Sequence, residues 1–200
     1  MPDVKPTLRQ RQSEVTRGLI LEGARSLFRA QGYVATSIEQ IAAEAGTGVS
    51  TIYAVFGNKR ELLVQLRWRA AQAAGLPDIE SSIPTGAPAK ETLTLLAARF
   101  RRLYESEADI IRVHQAALDS DRDLVANWEQ ARRDRRAHME RLLQPLLSEL
   151  KPELDLRQAT DLLEALLGFG LYEELVSRDG WLPAAYEEWL SRTLAEQLLA

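Results

Sequence analysis

The stretch from Thr36 to Lys59, TSIEQIAAEAGTGVSTIYAVFGNK, constrains this chain more than any other. Thr36 with Glu39 reads as a capping box, in which each side chain satisfies a free amide of the first turn, so a helix is expected to start there. Ile38, Ile41, Ala42 and Ala45 recur at helical spacing on one face, and Gly46 stands where a left-handed residue ends a helix. Beyond the turn, at ~100° per residue, Val49, Ile52 and Phe56 share one side, Tyr53 borders it, and Ser50, Thr51 and Ala54 point away. Asn58 followed by Glu61 caps the next helix. Two short helices around a glycine, the second turning small polar side chains outward, make a helix-turn-helix, whose second helix enters the major groove of DNA.

Within this stretch the run EAGxxxxTIYxxFxxKxxLL, from Glu44 to Leu63, resembles the signature of the tetracycline-repressor (TetR) family of bacterial transcriptional regulators. Any small three-helix packing needs a similar apolar pattern, but here turn, aromatic pair and lysine all fall in register. The resemblance covers the first quarter to third of the chain. It implies a phosphate contact for Lys59, aided by the positive end of its helix, and further phosphate contacts for Thr36, Thr51 and Tyr53. Thr47, Gly48, Val49 and Ser50 lie where the groove is approached. Members of the family often carry an aromatic residue or histidine where this chain has Ala54 and Val55. Base contacts from those two positions are therefore weak or purely apolar, and the operator sequence cannot be read from the chain.

A length of 200 residues suits a DNA-binding head with a larger helical body, and an apolar fraction of 46% allows a sizeable core. The net charge of −4 argues against a nucleic-acid binder only when taken globally. Residues 1–60 hold eight cationic and five anionic side chains, a surplus of three, against a deficit of seven in the remainder. A basic head on an acidic body puts the phosphate-attracting field where the motif lies. Cysteine is absent, which removes disulfides, thiolate metal sites and a cysteine nucleophile. With two histidines, no glycine-rich phosphate loop and no metal-ligand spacing, neither catalytic residues nor a cofactor or metal are expected, and an enzyme is disfavoured. No apolar run approaches a membrane span, and the first residues are unlike a signal peptide, so a cytoplasmic protein is expected.

The pattern predicts an all-α protein of nine helices in two domains. Residues 1–12 form a basic arm with Lys5, Arg9 and Arg11, serving either phosphates or only as a solvated terminus. Residues 13–57 form the helix-turn-helix domain, whose first helix starts near Ser13, carries Leu19, Ile20, Ala24, Leu27 and Phe28 on one stripe, and stops at Gly32. Tyr33 and Val34 are expected to plug its base. A connecting helix occupies 58–75, and the body occupies 76–200, opening on the loop GLPDIESSIPTGAP. Helices should resume near Ala89, again after Ser106 with Asp109, from Ser120 with Asp123 to about Leu150 bent near Pro145, from Asp155 with Gln158 to about Arg178, and from Pro183 to Leu199.

The last two helices carry more leucine than one core face needs. One stripe of the penultimate helix holds Leu162, Leu166, Phe169 and Val176, another Ala159, Leu163, Leu167 and Gly170. Gly168 and Gly170 suggest close approach of another backbone. A homodimer interface of Leu163, Leu167, Gly170, Trp189, Leu190 and Leu194 is expected, as the family resemblance also implies, against the alternative of two ordinary core helices. A two-fold dimer would read an inverted repeat of double-stranded DNA with heads ~34 Å apart. In the body, Phe100, Tyr104, His114, Trp128 and His138 are candidates to line an effector cavity, with Arg135 as polar anchor for an anionic or acceptor-rich small molecule. Equally, these groups can satisfy one another or a buried carboxylate. The run Arg132, Arg133, Arg135, Arg136 winds around its helix and reads as a salt-bridged, solvated face. The function so drawn is a DNA-binding regulator, most simply a repressor released by an effector. The competing readings are a helical partner-binding adaptor and a DNA-binding protein without effector.

Overall fold

The computed structural model describes residues 7–84 and 86–200, apart from the side chains of Arg9 and Gln10. Residues 1–6, half of the expected basic arm, lie outside the described residues. The described residues form α1 (Leu8–Ala35), α2 (Ile38–Glu44), α3 (Val49–Phe56), α4 (Lys59–Ala73), α5 (Ile79–Ser82), α6 (Ala89–Ala117), α7 (Arg122–Leu143), α8 (Leu156–Leu166), α9 (Phe169–Tyr172) and α10 (Pro183–Leu198). A wide π turn, Glu173–Arg178, continues α9, and α5 is a single turn, so nine helices remain beside it. Among the described residues the only strand-like pairing is one antiparallel bridge, Leu150 with Leu199.

Local chemistry sets most of the helix ends, and several differ from the expected ones. The helix α1 begins at Leu8, five residues before Ser13, and is interrupted at Gly32, whose φ of 81° only glycine adopts without strain. The cap of α2 is shifted by one residue. Ser37 Oγ accepts from the Gln40 amide at 3.2 Å while Gln40 Oε1 accepts from the Ser37 amide at 2.8 Å, so the box is Ser37–Gln40 and not Thr36–Glu39. The predicted break at Ser106 is absent. Ser106 Oγ donates back to the Arg102 carbonyl at 2.9 Å, and α6 runs unbroken for 29 residues. Asp121, not Ser120, caps α7, accepting from the amides of Asp123 and Leu124 at 3.0 and 3.2 Å. Pro145 ends that helix in a 3₁₀ turn, Gln144–Glu149, instead of bending it. Asp155 and Gln158 form the capping box expected of them. The helix they open stops at Leu166, because Gly168 takes extended angles (φ −68°, ψ 144°) before α9.

The chain divides into two compact units. The first comprises Met1–Arg69 with Asp109–Val125, the second Ala70–Ala108 with Ala126–Ala200. In the first, Ile20, Leu21, Ala24 and Phe28 of α1 meet Ile38, Ile41, Ile52, Phe56, Leu62 and Leu63, and the same cluster takes in Ile110, Ala117 and Leu124. Leu19, expected in the stripe, is 53% exposed and Leu21 fills its place. Tyr33 plugs the base of α1 as expected, edge-tilted against Phe28 at 5.5 Å, whereas Val34 is exposed. The second unit is built on Leu93, Leu96, Phe100 and Tyr104 of α6, Met139, Leu142 and Leu143 of α7, and the inner faces of α8 and α10, which pack together.

Candidate nucleic-acid interface

The turn between α2 and α3 is made by Gly46, whose φ of 62° brings the Thr47 amide onto the Ala42 carbonyl at 2.9 Å. Two buried side chains, Ile52 and Phe56, anchor α3 on its inner side, with Val49 and Val55 packed partly against the same cluster. The opposite side presents Ser50, Tyr53 and Ala54 to solvent, with Thr51 half-buried between. Val55, considered as a groove position, instead faces the core. Gly48 occupies the N-cap of α3 with no side-chain cap, leaving amides of the first helical turn to be satisfied from outside. Of the residues expected at DNA, Thr47, Gly48, Ser50, Thr51 and Tyr53 are thus at least partly accessible, while the Val49 side chain packs partly against the core cluster.

Thr36 and Lys59 are turned the other way. Thr36 is 2% exposed, its hydroxyl donating to the Gly32 carbonyl at 2.8 Å and accepting from Gln31 at 3.2 Å. Lys59 Nζ donates to the carbonyls of Tyr33 and Thr36, both at 2.8 Å, and lies 4.3 Å from the centre of the Tyr33 ring. Burial lowers its pKa, against a raising influence from Asp121. Other cations of the head are committed to carboxylates. Arg25 grips Asp109 with two bonds of 3.2 and 2.9 Å, Arg29 adds a third contact at 3.0 Å, and Arg60 reaches Asp121 at 3.3 Å and Asp123 at 2.7 Å. The sequence carried no local signal for these pairs, which join positions 84 and 61 residues apart. Tyr33 completes the group: its hydroxyl donates to Asp121 at 3.2 Å, and burial first, then the Asp121 charge, push its pKa up to about 12.

The candidate cavity residues are divided between the two units. His114 belongs to the first unit, 2% exposed and 3.3 Å from Arg67. In the second unit Phe100 and Tyr104 join Phe169, Tyr172, Tyr186 and Trp189 in a chain of ring contacts, centroids 5.2–5.9 Å apart at successive steps. The Tyr104 hydroxyl donates to the Leu167 carbonyl. Of the two readings for Arg135, a cavity anchor or a carboxylate pair, the contact present is with Glu164 at 3.4 Å, with the Trp128 ring 5.9 Å away. His138 faces Glu80 at 3.2 Å. The neighbouring Arg136 pairs with Glu140, Asp161 and Glu164, in keeping with a salt-bridged face.

The interface residues need a correction of face. Leu163, Leu167, Leu190 and Leu194 are at most 3% exposed in the chain alone, so they form its own core and have no surface to offer a partner. Trp189 is half-buried against Trp181 at 6.0 Å. Gly170, in α9 beyond the break at Gly168, is exposed, with open space where a Cβ would stand. Gly168 does meet a close backbone, but that of its own chain, Ala165 O at 3.1 Å from a built Cβ.

Short buried helices at a glycine turn, with one polar helix face exposed, define a helix-turn-helix domain. Residues 20–66 match the family described as bacterial regulatory proteins, tetR family, so the head is similar to that family. The fatty acid metabolism regulator protein of Bacillus subtilis (strain 168) is 28% identical over 99 residues, a match spanning 50% of this chain and 50% of that protein. Among solved structures, the transcriptional regulator FadR from Bacillus subtilis in complex with stearoyl-CoA is similar with a TM-score of 0.73 and 21% identity, covering 89% of this chain and 97% of that one. NalD, the secondary repressor of the MexAB-OprM multidrug efflux pump in Pseudomonas aeruginosa, gives 0.75 and 22% over 94% and 98%. The SmeT–triclosan complex gives 0.76 and 22% over 92% of each chain. These likenesses establish the fold of both units. No helix among the described residues is long and apolar enough to cross a membrane.

Proposed function

We propose that the chain is a sequence-specific DNA-binding transcriptional regulator and not an enzyme. In this reading it is a cytoplasmic repressor that holds an inverted repeat of double-stranded DNA as a homodimer and is released by a small-molecule effector bound in the body. The observation that carries it is the outward face of α3, where Ser50, Tyr53 and Ala54 stand exposed above the buried Ile52 and Phe56. Thr47 and the amides of Gly48 and Val49 approach the backbone, the hydroxyls of Thr51 and Tyr53 meet phosphates, and Ser50 and Ala54 face base edges. Ala54 offers only a methyl group, which suits a thymine methyl.

One head of this size buries too little surface to bind tightly, and two related by a two-fold axis reach half-sites ~34 Å apart. The outer stripe of α8, Leu162 and Leu166, supplies the contact between copies, since the inner stripe is already covered. Relatives of this fold have been found with stearoyl-CoA and with triclosan. Together with the ring chain from Phe100 to Trp189, they support an effector with a large apolar part. The test is selection of fragmented genomic DNA by the purified protein. A palindrome with half-sites one helical turn apart is expected; no enriched sequence, or full affinity for an isolated half-site, would sink the reading.

A further inference from the structure

Pro145 ends α7 and turns the chain into the 3₁₀ stretch Gln144–Glu149, which brings Glu149 to the start of α6. Both oxygens of the Glu149 carboxylate accept from the Ala89 amide, at 3.2 and 3.1 Å, and so satisfy a free donor of the first helical turn. Between these fastened ends, wholly within the second unit, lies a cleft of about 360 Å³. Ile83, Ala87, Leu142, Pro145 and Leu146 give it apolar walls. It shares no residue with the ring chain from Phe100 to Trp189.

The charged groups of the lining already have partners. Glu80 lies 3.2 Å from Arg141 Nε and 3.2 Å from His138 Nδ1, and Glu149 is held at the helix end. An anion would meet two carboxylates here, and a cation would have to draw one of them from its partner. Thr92 is different. It is 2% exposed in the cleft wall, and its hydroxyl has no hydrogen-bond partner among the described residues. Thr94 and Thr160 donate to the carbonyl four residues back, at 2.9 and 2.7 Å. For Thr92 that carbonyl, of Pro88, is taken by the amides of Glu91 and Thr92. A buried hydroxyl left unpaired costs free energy, which a partner entering from the cleft would recover.

From this geometry we propose that the cleft is a binding site for a small uncharged molecule with an apolar body and one oxygen, which pairs with the Thr92 hydroxyl. The walls supply most of the binding and the hydroxyl fixes the orientation, a division usual in small-molecule sites. The site stands apart from the DNA-binding reading and holds whether or not the head binds DNA.

The experiment is equilibrium dialysis of the full chain at neutral pH against 1-naphthol, against naphthalene, which lacks the oxygen, and against 1-naphthalenesulfonate, which carries a negative charge. Wild type is compared with Thr92→Val, which keeps the shape and removes only the unpaired hydroxyl, and with Ala87→Trp, which fills the cleft. Wild type is expected to prefer 1-naphthol to the other two. In Thr92→Val the affinity for 1-naphthol falls about fivefold, the worth of one net hydrogen bond, and that for naphthalene stays. In Ala87→Trp both fall. Equal affinity for 1-naphthol in wild type and Thr92→Val would overturn the inference, and that comparison decides alone if Ala87→Trp does not fold by circular dichroism. No binding of 1-naphthol by wild type, full binding by a folded Ala87→Trp, or sulfonate bound as tightly as naphthol would overturn it too.

Discussion

Arg60 and Asp121, 61 residues apart in sequence, meet at 3.3 Å within the first unit. Burial alone would raise the Asp121 pKa, but the amides of Leu124 and Asp123 and the Arg60 guanidinium outweigh it and hold the carboxyl below its usual range. A carboxyl depressed on folding stabilises the protein fully above its unfolded pKa, and the contribution is lost as pH falls through the lower folded value. Asp121→Asn is expected to destabilise by roughly 1.5–3 kcal/mol at pH 7, the range for hydrogen bonds to a charged group. The deficit should shrink once the pH drops below the ordinary aspartate range. Urea melts of both proteins across pH test this; a deficit that is constant with pH would contradict it.

Ser37→Ala removes the side-chain half of the capping box on α2. The expected cost is about 1 kcal/mol, read from chemical denaturation. Thr36 and Glu39 satisfy the same spacing, so the experiment also decides which residue caps the helix.

Tyr53 is 50% exposed on the reading face of α3 and bears on no buried cluster. Tyr53→Ala should leave the melting temperature nearly unchanged, within about 0.5 kcal/mol of stability, as surface substitutions do. Binding to a selected duplex should weaken measurably in a fluorescence-anisotropy titration. Wild-type affinity in this variant would remove Tyr53 from the interface.

His114 is held neutral. Burial first, and the Arg67 charge second, push its pKa down to about 3. Between the ordinary histidine value and that pH the unfolded chain takes a proton that the folded chain refuses, so stability falls as pH falls across that window, by at most ~1.4 kcal/mol per unit. His114→Gln, which cannot take up that proton, should flatten the dependence. Equal slopes in wild type and variant between pH 6 and 4 would show that other groups set it.

Leu162→Glu and Leu163→Glu differ by one position and by face, the first 36% exposed and the second fully buried. The first should yield a folded monomer in analytical ultracentrifugation, the second a chain that fails to fold. A folded dimer from Leu162→Glu would move the contact between copies elsewhere.

Periodicity and turn chemistry were enough for the helix-turn-helix: its glycine turn, the inward Ile52 and Phe56 and the Asn58 cap all follow from local spacing. Local spacing fails where two patterns overlap or where the partner is distant. Thr36–Glu39 and Ser37–Gln40 both fit a box, and only the burial of Thr36 under the end of α1 decides between them. Ser106 and Asp109 mimic a cap, yet Asp109 is taken by Arg25 and Arg29 and the helix continues. Two leucine stripes on α8 were legible, but which of them faces inward depends on α10. The inward turn of Lys59 had no signal at all, because it depends on carbonyls that Gly32 exposes more than twenty residues earlier.

Because Ile110, Ala117 and Leu124 sit in the same cluster as Phe28 and Ile52, the head is not a module that can be lifted out by one splice. A chimera that joins a foreign body after Arg69 would discard three buried apolar side chains and the three carboxylates that hold Arg25 and Arg60. Exchange of operator specificity between proteins of this build therefore calls for paired crossovers, with 109–125 travelling together with the first 69 residues. Natural recombination faces the same restriction, so heads and their distant seventeen-residue braces should be inherited as one linked block.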